Sequence, residues 1–297
     1  MLLPEKVFSW SNWQPLKNCW TNGYLPAVSG LYRIRRISRN DLDYIGQTGT
    51  GKMNLSKRLA MLKDIYKKEM PYSDPHTVGP ALWALLDQSH CQFEVSFLPI
   101  HESNIYRKGL ETLAIALYRQ QHQASPNFNF SRMPIGYIKS SGNTKQLCEA
   151  GKRFRGGRVN QRTHHHNPSI PPTGSLSQSP CHPYWCGHQW SPWYPLSSVQ
   201  NYLNVNEVGV YRIRIVNEPT LLYIGEGKIR LRLQAHYRKV QKQEVNWVFD
   251  MPLECSWVSN DSWHKNQREE LENDLIASHL LITEMITTLQ FRGSRAC

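Results

Sequence analysis

The sequence predicts an α/β protein made of two small modules, each a short mixed or antiparallel β-sheet flanked by helices. Three observations support this fold class. The chain has 297 residues, which is about twice the common domain size. A Trp-Ser-x-Trp-x-Pro-Leu element occurs at residues 10–16 and again at 190–196. The segment between the two modules is basic and rich in proline, glycine and serine, which predicts a linker and not a core.

Each module begins with a predicted β-hairpin. Residues 30–46 alternate apolar and polar side chains around a polar turn at 38–41, and residues 209–225 repeat the pattern around a turn at 217–219. A helix is expected after Asn54, a suitable N-cap, because apolar residues follow it at helical spacing. Residues 92–98 predict a third strand, and residues 110–117 predict an amphipathic helix.

These patterns divide the chain into a first module at 1–131, a linker at 132–185 and a second module at 186–297. The first half of the linker carries eight Lys and Arg residues against one acid, Glu149, and therefore +7 of the chain's net charge of +12. The second half, around 164–175, is rich in proline, glycine and serine and is predicted to be flexible.

The composition narrows the classes of partner. Thirty-five Lys and Arg residues against 23 Asp and Glu favour a polyanionic partner. No apolar run approaches the roughly 18 residues that predict a membrane span, and Glu5 interrupts the N-terminal stretch where a secretory signal would be apolar. Seven scattered cysteines favour free thiols over a disulfide framework. We therefore expect a cytoplasmic protein without a membrane partner.

Four side chains of three kinds recur in the same order in both modules. Two tyrosines lie on the paired strands, an arginine lies on the next helix, and a glutamate lies on a later helix. This set suits phosphodiester hydrolysis. One arginine guanidinium can bind two anionic oxygen atoms at once. Glutamate binds a hard divalent cation, and a tyrosine hydroxyl relays a proton from water.

The ordered set resembles the GIY-YIG nuclease family. The tripeptides are Gly30-Leu31-Tyr32 and Tyr44-Ile45-Gly46 in the first module, and Gly209-Val210-Tyr211 and Tyr223-Ile224-Gly225 in the second. The family includes homing endonucleases, restriction enzymes and the incision module of nucleotide excision repair. Two copies of its module would cover most of the chain outside the linker.

The resemblance implies a role for each matching residue. Tyr32 would activate the water, Tyr44 would position the phosphate, Arg58 would stabilise the transition state, Glu111 would bind one Mg²⁺ or Mn²⁺ ion, and Asn129 would support the site. In the same order, the second module offers Tyr211, Tyr223, Arg232, Glu272 for the metal, and Gln290 in place of the asparagine.

In the second module, the sequence offers two candidates for the helical arginine and a histidine that the first module lacks. Arg230 is an alternative to Arg232, although the following Leu233 and His236 favour Arg232. His236 lies four residues after Arg232, like a histidine found in some family members, whereas the first module has Leu62 there.

The resemblance therefore implies a metal-dependent DNA endonuclease, of restriction or defence type in preference to a homing or repair role. Its two modules are expected to act as a pseudo-dimer. The alternative is a non-catalytic or half-active DNA-binding or scaffold protein built on degenerate nuclease modules. RNA is an alternative substrate, because the phosphate chemistry is shared.

Three further features carry binding hypotheses. An arm of exposed cations could follow DNA, with a solvated linker as the alternative; its residues are Lys152, Arg153, Arg155, Arg158 and Arg162. A structural Zn²⁺ site would use Cys181, His182, Cys186 and His188, but their spacing is irregular. The repeated tryptophan element is expected to pack against each module's core, with base stacking as the alternative.

Overall fold

A computed structural model describes residues 8–21, 23–49 and 51–292 of a mixed α/β protein with antiparallel sheets. The chain forms two compact units. Among the described residues, the first unit comprises 8–107 and 125–168, and the second comprises 108–124 and 169–292. These boundaries differ from the predicted modules, whose outer ends, 1–7 and 293–297, lie outside the described residues. No helix in the described part of the chain is both long and apolar enough to cross a membrane.

The first unit contains a four-stranded antiparallel sheet with the order β1-β4-β2-β3. Its strands are β1 (Gln14–Pro15), β2 (Gly30–Arg36), β3 (Tyr44–Gln47) and β4 (Phe93–Pro99). In the hairpin, Tyr32 lies opposite Gly46 and Ile34 lies opposite Tyr44. The predicted hairpin and third strand are therefore present, because alternating apolar residues bury one face of the sheet.

Helices follow the sheet of the first unit. They are α1 (Leu55–Ala60), α2 (Gly79–Ser89) and α3 (Asn104–His122), with a 3₁₀ turn at Lys63–Tyr66. The Asn54 side chain caps α1 by accepting a hydrogen bond from the Lys57 amide at 2.8 Å. α1 ends earlier than the leucine spacing predicts, but Leu62 and Ile65 are still buried in the core. α3 contributes residues 108–122 to the second unit.

The segment predicted as a linker has regular structure in its first part. It contains β5 (Tyr137–Ile138), α4 (Lys145–Glu149), β6 (Gly157–Arg158), which pairs with β5, and a 3₁₀ turn at His164–His166. Met133 and Tyr137 are buried in the core of the first unit. Up to residue 168 this segment therefore belongs to the first unit, and from residue 169 the chain belongs to the second.

The second unit contains a sheet with the same topology, β7-β10-β8-β9. Its strands are β7 (Tyr194–Pro195), β8 (Val208–Ile215), β9 (Tyr223–Lys228) and β10 (Leu253–Ser259), and its helices are α5 (Ile229–Gln241) and α6 (Lys265–Thr283). Two 3₁₀ turns lie at Trp185–Gly187 and Leu196–Asn201. The duplicated sequence thus folds into two sheets of equal strand order.

A buried ionic cluster joins α3 and α6 within the second unit. The Arg119 guanidinium is fully buried and contacts Asp274 at 2.9 Å and Glu270 at 3.1 Å. Ser169 donates its hydroxyl proton to Glu270 at 2.6 Å. A buried charge needs such partners, because removing one leaves the others without compensation.

The repeated tryptophan element packs against arginines of the second strand in each sheet. Arg33 lies 4.7 Å from the ring centroids of both Trp10 and Trp13. In the second unit, Arg212 lies 4.2 Å from the centroid of Trp190 and 4.6 Å from that of Trp193. These cation–π stacks occupy the ring faces and give the element a packing role in both copies.

Candidate active sites

The glycines of the tripeptides are required by close approaches in both sheets. A Cβ atom on Gly46 would lie 2.7 Å from the Tyr32 hydroxyl oxygen, and one on Gly225 would lie 2.5 Å from the Tyr211 hydroxyl oxygen. Only glycine therefore lets the first tyrosine of each copy lie across the neighbouring strand. Gly30 and Gly209 have the same function at the other edge, where a Cβ would overlap a carbonyl oxygen of the adjacent strand.

Two tyrosines and a histidine form a buried cluster in the first unit. The Tyr32 hydroxyl lies 2.7 Å from Nε2 of His76. The ring centroids of Tyr32 and Tyr44 are 6.1 Å apart, and His76 lies 5.8 and 5.9 Å from them. His76 comes from the loop before α2. The sequence pattern does not reveal this histidine, because the position that corresponds to His236 is Leu62 in the first module.

Arg58 lies beside this cluster on α1. Its Nη1 donates to the carbonyl oxygen of Pro75, which precedes His76, at 2.8 Å. Burial lowers the pKa of His76 well below its usual range, and the positive charge of Arg58 lowers it further. His76 is therefore a neutral imidazole at neutral pH.

The second unit contains the corresponding cluster. The Tyr211 hydroxyl lies 2.9 Å from Nε2 of His236. The Tyr211 and Tyr223 ring centroids are 6.1 Å apart, and His236 lies 5.8 and 4.6 Å from them. Trp247 stacks on His236 at 4.7 Å. Burial lowers the pKa of His236 to about 3, so this imidazole is also neutral.

The structure distinguishes the two candidate arginines of α5. Arg232 lies close to Tyr211 and Tyr223, and its electrostatic interaction with Tyr211 raises the pKa of the guanidinium. Arg230 instead donates to the carbonyl oxygen of Leu203 at 3.3 Å. Arg232 is thus the arginine directed at the tyrosines, in the place that Arg58 takes in the first unit.

Glu272 lies on α6, close to the second cluster. Burial raises its pKa to about 8, and the charges of Glu226 and Glu269 raise it while Arg232 lowers it. Gln290 lies close enough to act in the lowering direction as well. With a pKa of about 8, Glu272 is mostly protonated at neutral pH, and it would release this proton on binding a cation.

The raised pKa of Glu272 bears on the metal expected from the sequence. Within the described residues, no group of three or more His, Cys, Asp or Glu side chains is arranged to hold an ion. Mg²⁺, however, commonly binds through one or two carboxylates and completes its shell with water and phosphate oxygens. Glu272, whose pKa is raised mainly by burial, fits a single protein ligand of that kind once a cation has displaced its proton.

Glu111 lies on α3, in the stretch that belongs to the second unit, and it is half-buried. Tyr32, Tyr44 and Arg58 belong to the first unit. Within the first unit, the cluster therefore consists of the two tyrosines, Arg58 and His76.

Asn129 and Gln290 hold the strand that carries the second tyrosine. The Asn129 side chain accepts from the Ile45 amide at 3.0 Å and donates to the Ile45 carbonyl at 2.9 Å. Gln290 accepts from the Ile224 amide at 3.3 Å. Both amides therefore contact the backbone and position the strand.

A second pair of arginines is shared by the two copies and was missed from the sequence. Arg107 Nη2 donates to the Gly49 carbonyl at 3.0 Å, and Arg268 Nε donates to Glu226 at 2.9 Å. The available signal was their common position, four residues before Glu111 and Glu272. Their position alone predicts no such role, because an arginine in the first turns of a helix is usually solvated.

The five cations of the predicted arm are all exposed, but three of them also contact the first unit. Arg153 donates to Asn143 at 2.9 Å, Arg155 donates to the Met70 carbonyl at 2.8 Å, and Arg158 pairs with Asp87 at 2.9 Å. The segment is therefore docked on the first unit at these points.

The four residues proposed as zinc ligands have other surroundings. Burial raises the pKa of the Cys186 thiol to about 12, which opposes the thiolate that zinc requires. His188 Nε2 lies 3.0 Å from the Thr173 hydroxyl, and Cys181 contacts Arg214 Nη1 at 3.2 Å. His182 is exposed.

Comparison of the chain with models of protein families, with curated proteins and with solved structures finds no match.

Proposed function

We propose that the protein is a metal-dependent DNA endonuclease with two active sites in one chain, acting as a pseudo-dimer in which each site cuts one strand. The observation that carries the proposal is the repeated cluster of two tyrosines and a neutral histidine beside an arginine. The resemblance to GIY-YIG nucleases favours a restriction or defence role. RNA is the alternative substrate.

The origin of the histidine supports a chemical role for the cluster. His236 lies on the helix after the hairpin, whereas His76 lies on a loop that precedes a different helix. Both imidazoles nevertheless reach the hydroxyl of the first tyrosine. The same kind of partner is thus supplied to this oxygen atom from two different elements.

The hydrogen bonds at the first tyrosine suit a proton relay. The Val78 amide donates to Nδ1 of His76 at 3.4 Å, so the neutral ring carries its proton on Nε2 and donates it to Tyr32. In the second copy the positive charge of Arg232 acts to lower the pKa of Tyr211. A phenol oxygen that accepts a hydrogen bond or lies near a cation gives up its own proton more readily. Burial still raises the pKa of Tyr211 well above its usual value, so the hydroxyl is not a permanent phenolate; it would take the proton of the attacking water as it passes its own proton to a phosphate oxygen of the substrate.

The remaining roles follow from charge. Arg58 and Arg232 would bind the phosphate oxygens as negative charge accumulates in the transition state. Glu111 and Glu272 would hold a Mg²⁺ or Mn²⁺ ion, which when bound polarises the phosphoryl oxygen and assists the leaving group. Asn129 and Gln290 would keep the second tyrosine in place.

One observation favours the alternative of a non-catalytic or half-active DNA-binding scaffold. Tyr32 and Tyr211 have no exposed surface, as expected of packing residues. In the nuclease, their hydroxyls must therefore be reached by a water molecule from the side of the histidine and arginine.

Cleavage of supercoiled plasmid with and without Mg²⁺ tests the proposal. We expect the wild type to linearise the plasmid, and Arg58→Ala and Arg232→Ala each to give nicked product, since one strand is still cut. Each substitution should slow its own strand by about 100- to 1,000-fold. Arg238→Ala, which removes an exposed cation from the same helix as Arg232, is the matched control and should resemble the wild type.

The outcomes separate the alternatives. Full double-strand cleavage by Arg232→Ala would show that the second site is dispensable, which is the half-active case. Absence of metal-dependent cleavage of both DNA and RNA would favour the scaffold. Glu111→Ala and Glu272→Ala should each abolish the metal-dependent cleavage of the strand that its own site cuts.

A further inference from the structure

A pocket of about 640 Å³ lies within the first unit, next to His76. His76 forms part of its lining, so the pocket reaches the residue that contacts the Tyr32 hydroxyl. Its volume lies in the range of about 300–1,000 Å³ that is typical of small-molecule sites. The pocket is therefore large enough for a nucleotide and lies beside the proposed site of cleavage.

One wall of the pocket is a stack of Tyr72 and two arginines. The guanidinium groups of Arg153 and Arg155 lie 4.9 and 4.4 Å from the centroid of the Tyr72 ring. Hydrogen bonds from Arg153 to Asn143 and from Arg155 to the Met70 carbonyl hold the guanidinium groups in place. Planar groups arranged in this way offer a surface on which a base can stack.

The charges around the pocket are mixed. Lys67 and Lys68 provide further cations, while Asp64, Glu69 and Asp74 provide carboxylates. Asp64 pairs with Lys67 at 2.8 Å, and Glu69 pairs with Arg155 at 3.1 Å. A track for phosphates alone would be uniformly basic. A nucleotide also has amino and ring nitrogen groups on its base edge, which need both acceptors and donors.

We propose that this pocket binds one unpaired nucleotide of the substrate strand next to the phosphate that is cut at the first site. The base stacks on the exposed guanidinium planes of Arg153 and Arg155, which the Tyr72 ring supports, and the cations neutralise its flanking phosphates. This inference rests on the proposed nuclease function. A nucleotide within a duplex must leave the base stack to enter the pocket, as in enzymes that flip bases.

The proposal differs from a basic arm that follows DNA by charge alone. Lys152 and Arg162 belong to the same basic segment and are exposed, but they do not line the pocket. An arm would depend on all cations about equally. A stacking pocket depends on Tyr72, Arg153 and Arg155 more than on Lys152 and Arg162.

The test measures binding of a fluorescently labelled single-stranded oligonucleotide to the full-length protein by anisotropy, in EDTA so that no cleavage occurs. We expect Tyr72→Ala to raise the Kd about 5- to 100-fold, the range for loss of one base stack. Tyr72→Phe keeps the ring and should stay within twofold of the wild type. Arg153→Ala and Arg155→Ala should each weaken binding more than the matched controls Lys152→Ala and Arg162→Ala.

An oligonucleotide with an abasic site distinguishes a base from a phosphate in the pocket. It keeps every phosphate, so the wild type should bind it about as weakly as Tyr72→Ala binds the intact strand. Equal affinities of the wild type for the intact and abasic strands would overturn the proposal. Equal effects of all four cation substitutions would overturn it too, in favour of the arm.

Failure of the pocket and failure of the nuclease give different results. Tyr72-dependent binding without any cleavage would retain the pocket and refute the nuclease. Metal-dependent cleavage with unchanged Kd and KM in Tyr72→Ala would retain the nuclease and refute the pocket. Thermal unfolding of Tyr72→Ala and Tyr72→Phe, measured by circular dichroism, verifies that lost binding is not lost folding.

Discussion

The tyrosine–histidine clusters of the first and second units have similar internal geometry and different surroundings. The two tyrosine rings are 6.1 Å apart in each, and each histidine lies within 2.9 Å of the first tyrosine's hydroxyl. In the first unit the histidine lines a pocket with charged walls, whereas in the second it is covered by Trp247. The two clusters thus share their internal geometry but differ in the residues that lie beside the histidine.

Helix length accounts for the different source of the histidine. α1 has six residues and ends before Leu62, while α5 has 13 and carries His236 in its third turn. After the short α1, the chain passes through a turn and a loop before it supplies His76. The same loop contributes Tyr72 and Asp74 to the pocket, so the change of histidine and the presence of the pocket have one structural origin.

The largest expected effect comes from removing either histidine. His76→Ala and His236→Ala should slow cleavage of their own strands by about 100- to 10,000-fold, the usual contribution of a group that assists proton transfer. Cleavage of a linear duplex labelled at the 5′ end of one strand or of the other resolves the two rates. Equal loss on both strands in either variant would mean that the sites do not act separately.

A conservative substitution distinguishes the two histidines. His76→Gln retains an N–H donor for Tyr32 and should recover part of the activity that His76→Ala loses. Trp247→Ala removes the ring that stacks on His236. It should change the cleavage rate only of the DNA strand that the second site cuts. If His76→Gln were as inactive as His76→Ala, the donor role assigned through Val78 would be wrong.

The next effect concerns stability and is confined to the second unit. Arg119→Ala should lower the free energy of unfolding by about 3–5 kcal/mol, because Asp274 and Glu270 would remain buried without their cation. Arg35→Ala, which removes a partly exposed partner of Glu94 from the sheet of the first unit, should cost about 1 kcal/mol or less. Urea denaturation measures both. A similar loss for the two variants would show that the buried cluster is no more important than the partly exposed pair.

Much of each sheet could be predicted from the sequence, because alternating side chains and polar turns are local signals. Arg232 and His236 were also found, since their spacing places them on one face of a helix. His76 was not, because 44 residues separate it from Tyr32 and only tertiary folding joins them. The docking of Arg153 and Arg155 was missed for a related reason: a run of cations has the same sequence pattern whether it is solvated or held by a neighbouring surface.

The pH dependence of stability should reflect the buried neutral histidines. Burial lowers the pKa of His188 and His279 from 6.5 to about 4. Their stabilising contribution is therefore complete above pH 6.5 and is lost as the pH falls towards 4. Each accounts for up to about 3 kcal/mol at low pH.

Urea midpoints between pH 7 and pH 4 measure this loss. His188→Gln removes one titrating group and should flatten the curve over that interval, with Asn167→Ala as a control that titrates nothing. An unchanged slope in His188→Gln would mean that His188 is protonated in the folded protein without penalty.

The smallest effect is expected from exchanging the two strand-holding amides. Asn129 makes both of its hydrogen bonds with the backbone of Ile45, while Gln290 accepts one from the Ile224 amide. Gln290→Asn is one methylene shorter and should lose this hydrogen bond, which is worth about 0.5–1.5 kcal/mol. The DNA strand that the second site cuts should then be cleaved about 2- to 12-fold more slowly. Cleavage of the other DNA strand should be unaffected.

Asn129→Gln is the reciprocal change and tests whether the amide acts only by holding the strand. Its extra methylene should displace the hydrogen bonds to Ile45. Cleavage of the DNA strand that the first site cuts should then slow by a similar small factor. A loss of more than about 100-fold would instead match the removal of a group that stabilises the transition state. Asn129 would then contact the substrate itself, and the two copies would differ in their chemistry as well as in their surroundings.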